Sequence, residues 1–278
     1  MGHKPLLALP AYELTQGNTP LLISMPHSGL NLLPDVDAAL SDKARKLPDT
    51  DWYLPQLYDF LPEVGVGRIK ANYTRYVIDL NRPADDKPLY KSNTTGLFPD
   101  ILFDGSPVFQ DGKAPGDGLK NRCKEQIWQP YHNAIEQELA RIKDRFGYAV
   151  LFDAHSIAAE VPMLFAGTLA DFNWGTNNGQ ACNIQLTSAL QNTVAPQYSQ
   201  VTNGRFKGGY ITRHFGRPNN QIHAIQLELS QATYLDDDCL KRGDYQLSLT
   251  KGPVIQQQLQ DIIKGLLTTC LELDLKPS

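Results

Sequence analysis

The sequence lacks a long apolar run, and it has no excess of positive charge. No stretch approaches the roughly 20 apolar residues that span a bilayer, so nothing in the sequence indicates a membrane role. The formal net charge of −4 gives no support to binding of nucleic acid or of an anionic membrane surface. These absences leave a globular protein, and 278 residues with 41% hydrophobic content are enough to form a sizeable core.

The sequence is also poor in cysteine. Its four cysteines are widely spaced and form no C-x-x-C pair, which argues against a disulfide framework. The first residues contain two prolines in a short apolar stretch, unlike the longer apolar region of a secretory signal. We therefore expect a cytoplasmic protein with reduced, buried thiols. The sequence does not indicate an oligomeric state.

Several common catalytic and nucleotide-binding motifs are missing. The sequence contains no G-x-S-x-G nucleophile elbow and no H-E-x-x-H helix. The P-loop and the G-x-G-x-x-G fingerprint are absent as well. Any chemistry must therefore come from residues that are scattered along the chain.

The pattern of apolar residues alternates between strand-like and helix-like segments. It predicts strands at residues 20–25, 66–71, 74–80, 147–154, 208–214 and 223–230. It predicts helices at residues 35–47, 51–61, 118–145, 177–194 and 254–274, with a break near Pro130. This order favours an α/β fold, a three-layer sandwich with a mixed, largely parallel central sheet flanked by helices. No linker or repeat divides the chain, so we expect one domain over residues 1–278.

One long segment has poor periodicity. Residues 82–116 are rich in Pro, Gly and Asp, and a loop of this length inside a compact domain is usually functional. An ordinary surface excursion and a cover over a site are equally open interpretations of this segment.

Polar residues follow or end most of the predicted strands. The segment LFDAHS ends an apolar strand pattern on Asp153, His155 and Ser156, which the strand alone does not explain. In open α/β sheets, ligands collect at the carboxyl ends of strands. The residues found at such ends are His27, Asn81, Arg82, Arg213 and His214, while Glu228 lies within the last strand, and Asp49 and Asp51 precede a helix.

Two histidines with nearby acids suggest a divalent metal, most simply zinc. A catalytic zinc needs three protein ligands and one open position, which His27, His155 and one aspartate would supply. Asp153 lies two residues before His155 and shares its face of the strand, so it would orient the imidazole. Glu228 is the best-placed general base, although a solvated face of the strand would also explain it. On spacing alone, a metal site and two structural histidines are equally supported.

Six segments together resemble the N-formylglutamate amidohydrolase family, also called N-formylglutamate deformylase. They are SMPHSG (24–29), DTDWYL (49–54), NYTRYVIDLNRP (72–83), LFDAHS (151–156), GGYITRHFG (208–216) and LELSQATYL (227–235). The resemblance implies a single α/β domain similar to zinc carboxypeptidases. It also implies hydrolysis of N-formyl-L-glutamate, a small dianionic N-acyl amino acid, to formate and glutamate, which closes one route of histidine degradation.

A more distant resemblance to the zinc carboxypeptidases implies roles for individual residues. His27 and His155 look like the two metal-binding histidines, and Glu228 looks like the general base. Asn81 and Arg82 resemble the Asn-Arg pair that holds a substrate carboxylate. The carboxypeptidase motif has a glutamate ligand three residues after the first histidine, where this sequence has Leu30. Another carboxylate must replace that ligand: Asp51 is the first choice and Asp49 the second.

A dianionic substrate requires cationic side chains, and arginine suits planar carboxylates through paired hydrogen bonds. Arg82 and Arg213 are assigned to the substrate carboxylates. Arg75 would bind substrate or polarise the formyl oxygen, with a structural ion pair as the equal alternative. His214 would assist the oxyanion or bind substrate.

Two other functions remain open from the sequence. One is a zinc amidase or carboxypeptidase-like enzyme acting on a different N-acyl amino acid, which a substrate panel would distinguish. The other is a non-catalytic protein that binds small anions. A binder needs no general base, so Glu228 beside two candidate metal ligands argues against it.

Overall fold

A computed structural model describes residues 6–89 and 94–272 of the chain. The strands are β1 (Tyr12–Thr15), β2 (Leu21–Met25), β3 (Gly67–Ala71), β4 (Ala149–Ile157), β5 (Phe172–Gly175), β6 (Gln200–Thr202) and β7 (Ile222–Ser230). The helices are α1 (Pro34–Ala39), α2 (Leu54–Leu57), α3 (Asp117–Cys123), α4 (Gln129–Phe146), α5 (Ile184–Thr193), α6 (Tyr210–Phe215), α7 (Asp237–Lys241) and α8 (Lys251–Glu272). A π-helical stretch, Lys124–Trp128, joins α3 to α4 beside Pro130.

All seven strands belong to one sheet with the order β1-β3-β2-β4-β7-β5-β6. The strand pairs β2–β3, β2–β4, β4–β7 and β5–β6 are parallel, whereas β1–β3 and β5–β7 are antiparallel. The predicted α/β fold with a mixed, largely parallel sheet flanked by helices is confirmed.

Side-chain alternation along the central strands divides the core between the two faces of the sheet. Leu22, Leu151 and Ala224 pack on one face in a cluster that contains residues of α4. The neighbouring residues Ile23, Phe152 and Ile225 pack on the other face with α5 and α8. Both faces are covered, which is why β2 and β4 are buried at every position.

On the first of these faces, the buried residues become polar toward the carboxyl ends of the strands. Ser24 on β2, Asp153 and His155 on β4, and Gln226 and Glu228 on β7 continue the rows begun by Leu22, Leu151 and Ala224. All five are buried. Because β2, β4 and β7 run parallel as neighbours, their polar ends meet at one edge of the sheet. This meeting accounts for the polar ending of the LFDAHS strand.

Two predicted strands are wrong. Residues 74–80 form turns, because Asp79 pairs with Arg75 four residues earlier and accepts a hydrogen bond from the Asn81 backbone at 2.8 Å. Residues 208–214 contain the helix α6 in place of a strand. Gly209 lets this helix begin close to the cleft, since a Cβ at that position would lie 2.3 Å from Asn81 Nδ2.

Most of the other predicted elements agree with the structure to within about three residues at each end. The helices expected at 35–47 and 51–61 shrink to α1 with a separate 3₁₀ turn, and to α2. The short strands β1, β5 and β6 were not predicted.

The four cysteines are buried and unpaired, as expected. None of the helices in residues 6–89 and 94–272 has the length and apolar content to cross a membrane.

Candidate active site

A cleft opens at the carboxyl ends of β2, β4 and β7, where the polar side chains meet. Its wall also includes parts of the long loop that the sequence predicted at 82–116, namely Thr94, Thr95 and Phe103. Residues 90–93 of that loop lie outside the described residues. The cleft is lined by His27, Asp51, Arg75, Asn81, Arg82, Thr94, Thr95, Phe103, His155, Ser156, Ile157, Leu164, Arg205, Phe206, Gly209, Gln226 and Glu228.

Three of the lining residues form a compact, buried group of possible metal ligands. One donor atom each from His27, Asp51 and His155 lies within 4.8 Å of the other two. The Asp51 Oδ2 atom is 3.1 Å from His155 Nδ1 and 3.9 Å from His27 Nδ1. Both imidazoles therefore turn the same nitrogen, Nδ1, toward one carboxylate.

The opposite nitrogen of each imidazole faces a second buried carboxylate. His27 Nε2 is 2.7 Å from Asp79 Oδ1, and His155 Nε2 is 3.1 Å from Asp153 Oδ2. Carboxylates in this position fix the ring orientation of metal-binding histidines. The sequence predicted this position for Asp153 but missed Asp79, which stands inside the apolar segment VIDL and looks like part of a strand.

The donor chemistry of the group fits a divalent ion. Two imidazoles and one carboxylate on the side of an open cleft are the set expected of a catalytic zinc site. Burial lowers the pKa of His27, which favours the neutral, metal-binding form. Burial alone would also lower the pKa of His155, but Asp153 and Asp51 outweigh it and raise that pKa well above its ordinary value. Metal binding at His155 would therefore displace a proton.

Between the two aspartates considered, the geometry favours Asp51. Its carboxylate lies inside the group formed by the two histidines. The Asp49 carboxylate instead accepts a hydrogen bond from the Phe103 backbone at 3.1 Å. Asp49 thus holds part of the long loop beside the cleft.

Glu228 lies in the same cleft, on the face of β7 that turns toward His155. The two residues are register partners on adjacent strands. Glu228 is only 7% exposed, which excludes the solvated-face alternative. Burial raises the pKa of Glu228 to about 8. A pKa near the working pH suits a group that accepts a proton and later releases it.

Arg75 forms the structural ion pair that the sequence left as one alternative, and it also lines the cleft. Its Nη2 atom donates to Asp79 Oδ2 at 2.7 Å, in an ion pair with both side chains buried. Its guanidinium also lines the cleft and lies 4.7 Å from the centre of the Phe103 ring. Burial alone would raise the pKa of Asp79, but His27 and Arg75 hold it well below its usual range. Asp79 therefore links the cation to a candidate metal ligand.

Asn81 and Arg82 line the cleft, and both also make hydrogen bonds to other residues of the protein. Asn81 Oδ1 accepts from the Ile211 backbone at 2.9 Å, while its Nδ2 is 3.0 Å from His155 Nε2. Arg82 donates to the Thr95 carbonyl at 2.7 Å and to Thr94 Oγ1 at 3.0 Å. Arg82 thereby holds the Thr94–Thr95 part of the long loop against the cleft.

Arg213 and His214 are not among the residues that line this cleft. The prediction for them assumed a strand at 208–214, and the helix turns both side chains elsewhere. Arg213 Nε donates to the Gly208 carbonyl at 2.7 Å. His214 is exposed and stacks on Tyr210, with ring centres 4.9 Å apart. Helical spacing, in place of strand alternation, is the physical reason for this placement.

Two lining residues that the sequence did not single out come from the loop before α6. Arg205 donates from Nε to the Leu164 carbonyl at 2.6 Å, and Phe206 follows it in the wall of the cleft. They lie in the short segment NGRFKGG, which carries no periodic pattern. Its only signal is an aromatic residue flanked by two cations between glycines.

Known proteins resemble this chain over most of its length. The family model described as N-formylglutamate amidohydrolase matches residues 19–235. The chain is 51% identical over 250 residues to an N-formylglutamate deformylase from Pseudomonas aeruginosa, covering 89% of this chain and 94% of that relative. It is 55% identical over 224 residues to an N-formylglutamate deformylase from Pseudomonas putida, covering 80% of this chain and 84% of that relative.

A solved structure shares the fold. The crystal structure of an N-formylglutamate amidohydrolase from Ralstonia eutropha JMP134 superposes with a TM-score of 0.75, covering 95% of this chain and 98% of that one. The sequence identity of this pair is 21%, so the likeness concerns the fold alone.

Proposed function

The chain belongs to the N-formylglutamate amidohydrolase family, and we propose that it hydrolyses N-formyl-L-glutamate to formate and L-glutamate. The observation that carries the proposal is the meeting, in one cleft, of a His-Asp-His group with the buried carboxyl of Glu228. The family names of the relatives supply the substrate. We place this reaction in the cytoplasm, at the step of histidine degradation that releases formate.

The proposed cofactor is one zinc ion, held by Nδ1 of His27, Nδ1 of His155 and the carboxylate of Asp51. When bound, such an ion would polarise the formyl oxygen and make a water molecule easier to deprotonate. Asp79 and Asp153 would keep the two imidazoles oriented for this purpose through their contacts with Nε2.

Glu228 would carry the proton through the reaction. It takes a proton from the attacking water, whose oxygen then forms a bond to the formyl carbon. The carbon–nitrogen bond breaks as Glu228 returns that proton to the departing amine, which leaves formate and glutamate. Arg75 lies in the same wall and would stabilise the negative charge that develops on the formyl oxygen.

The cleft supplies cations for the two carboxylates of the substrate. Arg75, Arg82 and Arg205 all line it. Arg82 also holds the Thr94–Thr95 segment, so its removal would disturb the loop as well as the charge. Arg205 replaces Arg213 as the proposed partner of a substrate carboxylate, because Arg205 reaches the cleft.

Replacing Arg205 with Met should raise KM for N-formyl-L-glutamate by roughly 10- to 100-fold, the value of one lost charged hydrogen bond. The kcat should change much less, because the contact is present in the bound substrate as well as in the transition state. Steady-state formate release gives both constants. Lys207→Met is the matched control. It also removes a positive charge, two residues further along the same loop, but the side chain of Lys207 does not line the cleft. A normal KM in Arg205→Met would remove Arg205 from substrate binding.

A substrate panel tests the proposed function against its nearest rival. Formate or acyl release is compared among N-formyl-L-glutamate, N-formyl-L-glutamine and N-acetyl-L-glutamate. We expect kcat/KM to be highest for N-formyl-L-glutamate. A higher kcat/KM for another N-acyl amino acid would reject the proposed substrate and keep the hydrolytic site.

A further inference from the structure

Gln226 lies beside the proposed base and is held at both ends of its amide group. The Gly209 backbone N–H donates to Gln226 Oε1 at 2.7 Å. The other end of the amide, Nε2, is 3.2 Å from Glu228 Oε2. Gln226 is only 3% exposed, and it precedes Glu228 by two residues on the same face of β7.

The backbone contact decides which way the amide points. A backbone N–H can only donate, so the atom that receives it must be the amide oxygen. The amide nitrogen is then the atom that faces Glu228, and it donates to the carboxylate. An ionised glutamate at position 226 would accept from Gly209 and present no donor to the base. A methionine would provide neither group.

We propose that Gln226 is a positioning residue for Glu228, an inference that rests on the proposed function. Its amide donates to Oε2 of the base and is anchored through Gly209 to the loop that precedes α6. Because this donor holds Oε2, the carboxylate keeps one orientation in the cleft.

The anchor adds a second consequence. Arg205 and Phe206, the cleft residues of the loop, stand four and three positions before Gly209. The hydrogen bond from Gly209 to Gln226 thus connects the segment that would contact substrate to the side chain that holds the base. A variant that keeps this anchor but loses the donor separates the two roles.

Gln226→Glu is that variant, because it retains an acceptor for the Gly209 N–H and removes the donor to Glu228. We expect kcat for formate release to fall by about 10- to 100-fold, as for a lost hydrogen bond to a charged group. Metal content should stay near its wild-type value, whereas KM for the dianionic substrate should rise because this variant adds a negative charge to the cleft. Gln226→Met adds no charge, and its KM should stay near the wild-type value. Gln226→Met removes both bonds and provides a second variant, with kcat reduced at least as far.

The background variant Glu228→Gln makes the test specific. Adding Gln226→Glu to it should change the residual kcat by less than about 3-fold, since the carboxylate to be positioned is gone. A merely structural role would give the same loss in both backgrounds. Gln258→Glu is the matched control, because Gln258 is buried, donates to the Thr193 carbonyl and accepts from the Ala195 backbone outside the cleft. It should lower thermal stability and leave kcat unchanged.

The outcomes separate the two proposals. An active wild type whose Gln226→Glu variant keeps full kcat, or loses the same factor with and without Glu228, overturns the role of Gln226 alone. A wild type that releases no formate from N-formyl-L-glutamate overturns the proposed function and the role of Gln226 with it.

Discussion

Glu228→Gln is expected to lower kcat for formate release by roughly 10²- to 10⁴-fold, the usual contribution of a general acid–base residue. The amide is almost the same size as the carboxyl, so the cleft and the His-Asp-His group should keep their shape. What disappears is the ability to take a proton from water and return it to the amine. Metal content, measured on the same preparation, should match that of the wild type.

The matched control for this variant is Glu138→Gln. Glu138 is also a buried glutamate, but it lies on α4 and pairs with Arg141 at 2.6 Å. Its replacement should reduce thermal stability without reducing kcat. Wild-type turnover by Glu228→Gln would contradict the assignment of the base, whereas a loss of turnover with lost metal would indicate a different role for Glu228.

His155→Ala is expected to reduce both metal content and activity. His155 touches Asp51 through Nδ1 and Asp153 through Nε2, so its removal takes away one of the three proposed ligands and the contacts of His155 with two buried carboxylates. Loss of a residue that only orients a metal ligand typically lowers metal affinity by 10- to 100-fold. Loss of a ligand itself should lower metal affinity by more than roughly 100-fold. Metal titration of the metal-free protein measures the affinity directly.

His223→Ala controls for the loss of a buried imidazole. His223 lies near the other end of β7, where its Nδ1 atom accepts a hydrogen bond from the Asn183 backbone at 3.2 Å. This variant should bind metal as the wild type does. Unchanged metal affinity in His155→Ala would remove that residue from the proposed ligand set, even if activity fell.

The central part of the fold was predictable because three strands carry strong local signals. The runs that became β2, β4 and β7 are apolar and of strand length, and each leads to or contains polar residues. The parallel arrangement follows from the helices between them. The prediction that His27, His155 and Glu228 meet therefore needed only period-2 alternation and the rule that ligands collect at strand ends.

The errors arose where a tertiary contact overrides local preference. The segment TRYVIDL has the composition of a strand, but the Arg75–Asp79 ion pair and the contact of Asp79 with His27 hold it in turns. The segment GGYITRH forms a helix whose first backbone N–H groups are satisfied by Gln226 and Asn81, residues that are distant in sequence. No local pattern contains either partner.

The choice between Asp49 and Asp51 shows the same limit on a smaller scale. Both acids precede the same short helix, and their spacing in sequence does not rank them. Only the fold brings Asp51 to the two imidazoles and turns Asp49 toward Phe103. Arg205 was missed for a related reason, because its loop becomes part of the cleft only once β4 and β7 are assembled.

The most direct test is formate release from N-formyl-L-glutamate by the purified protein, measured before chelation, after chelation and after zinc is returned. The proposed function predicts turnover that is lost when the metal is removed and restored by zinc, with the His-Asp-His group as the binding site. Formate release that persists in fully chelated protein would contradict the metal-dependent hydrolysis proposed for this site.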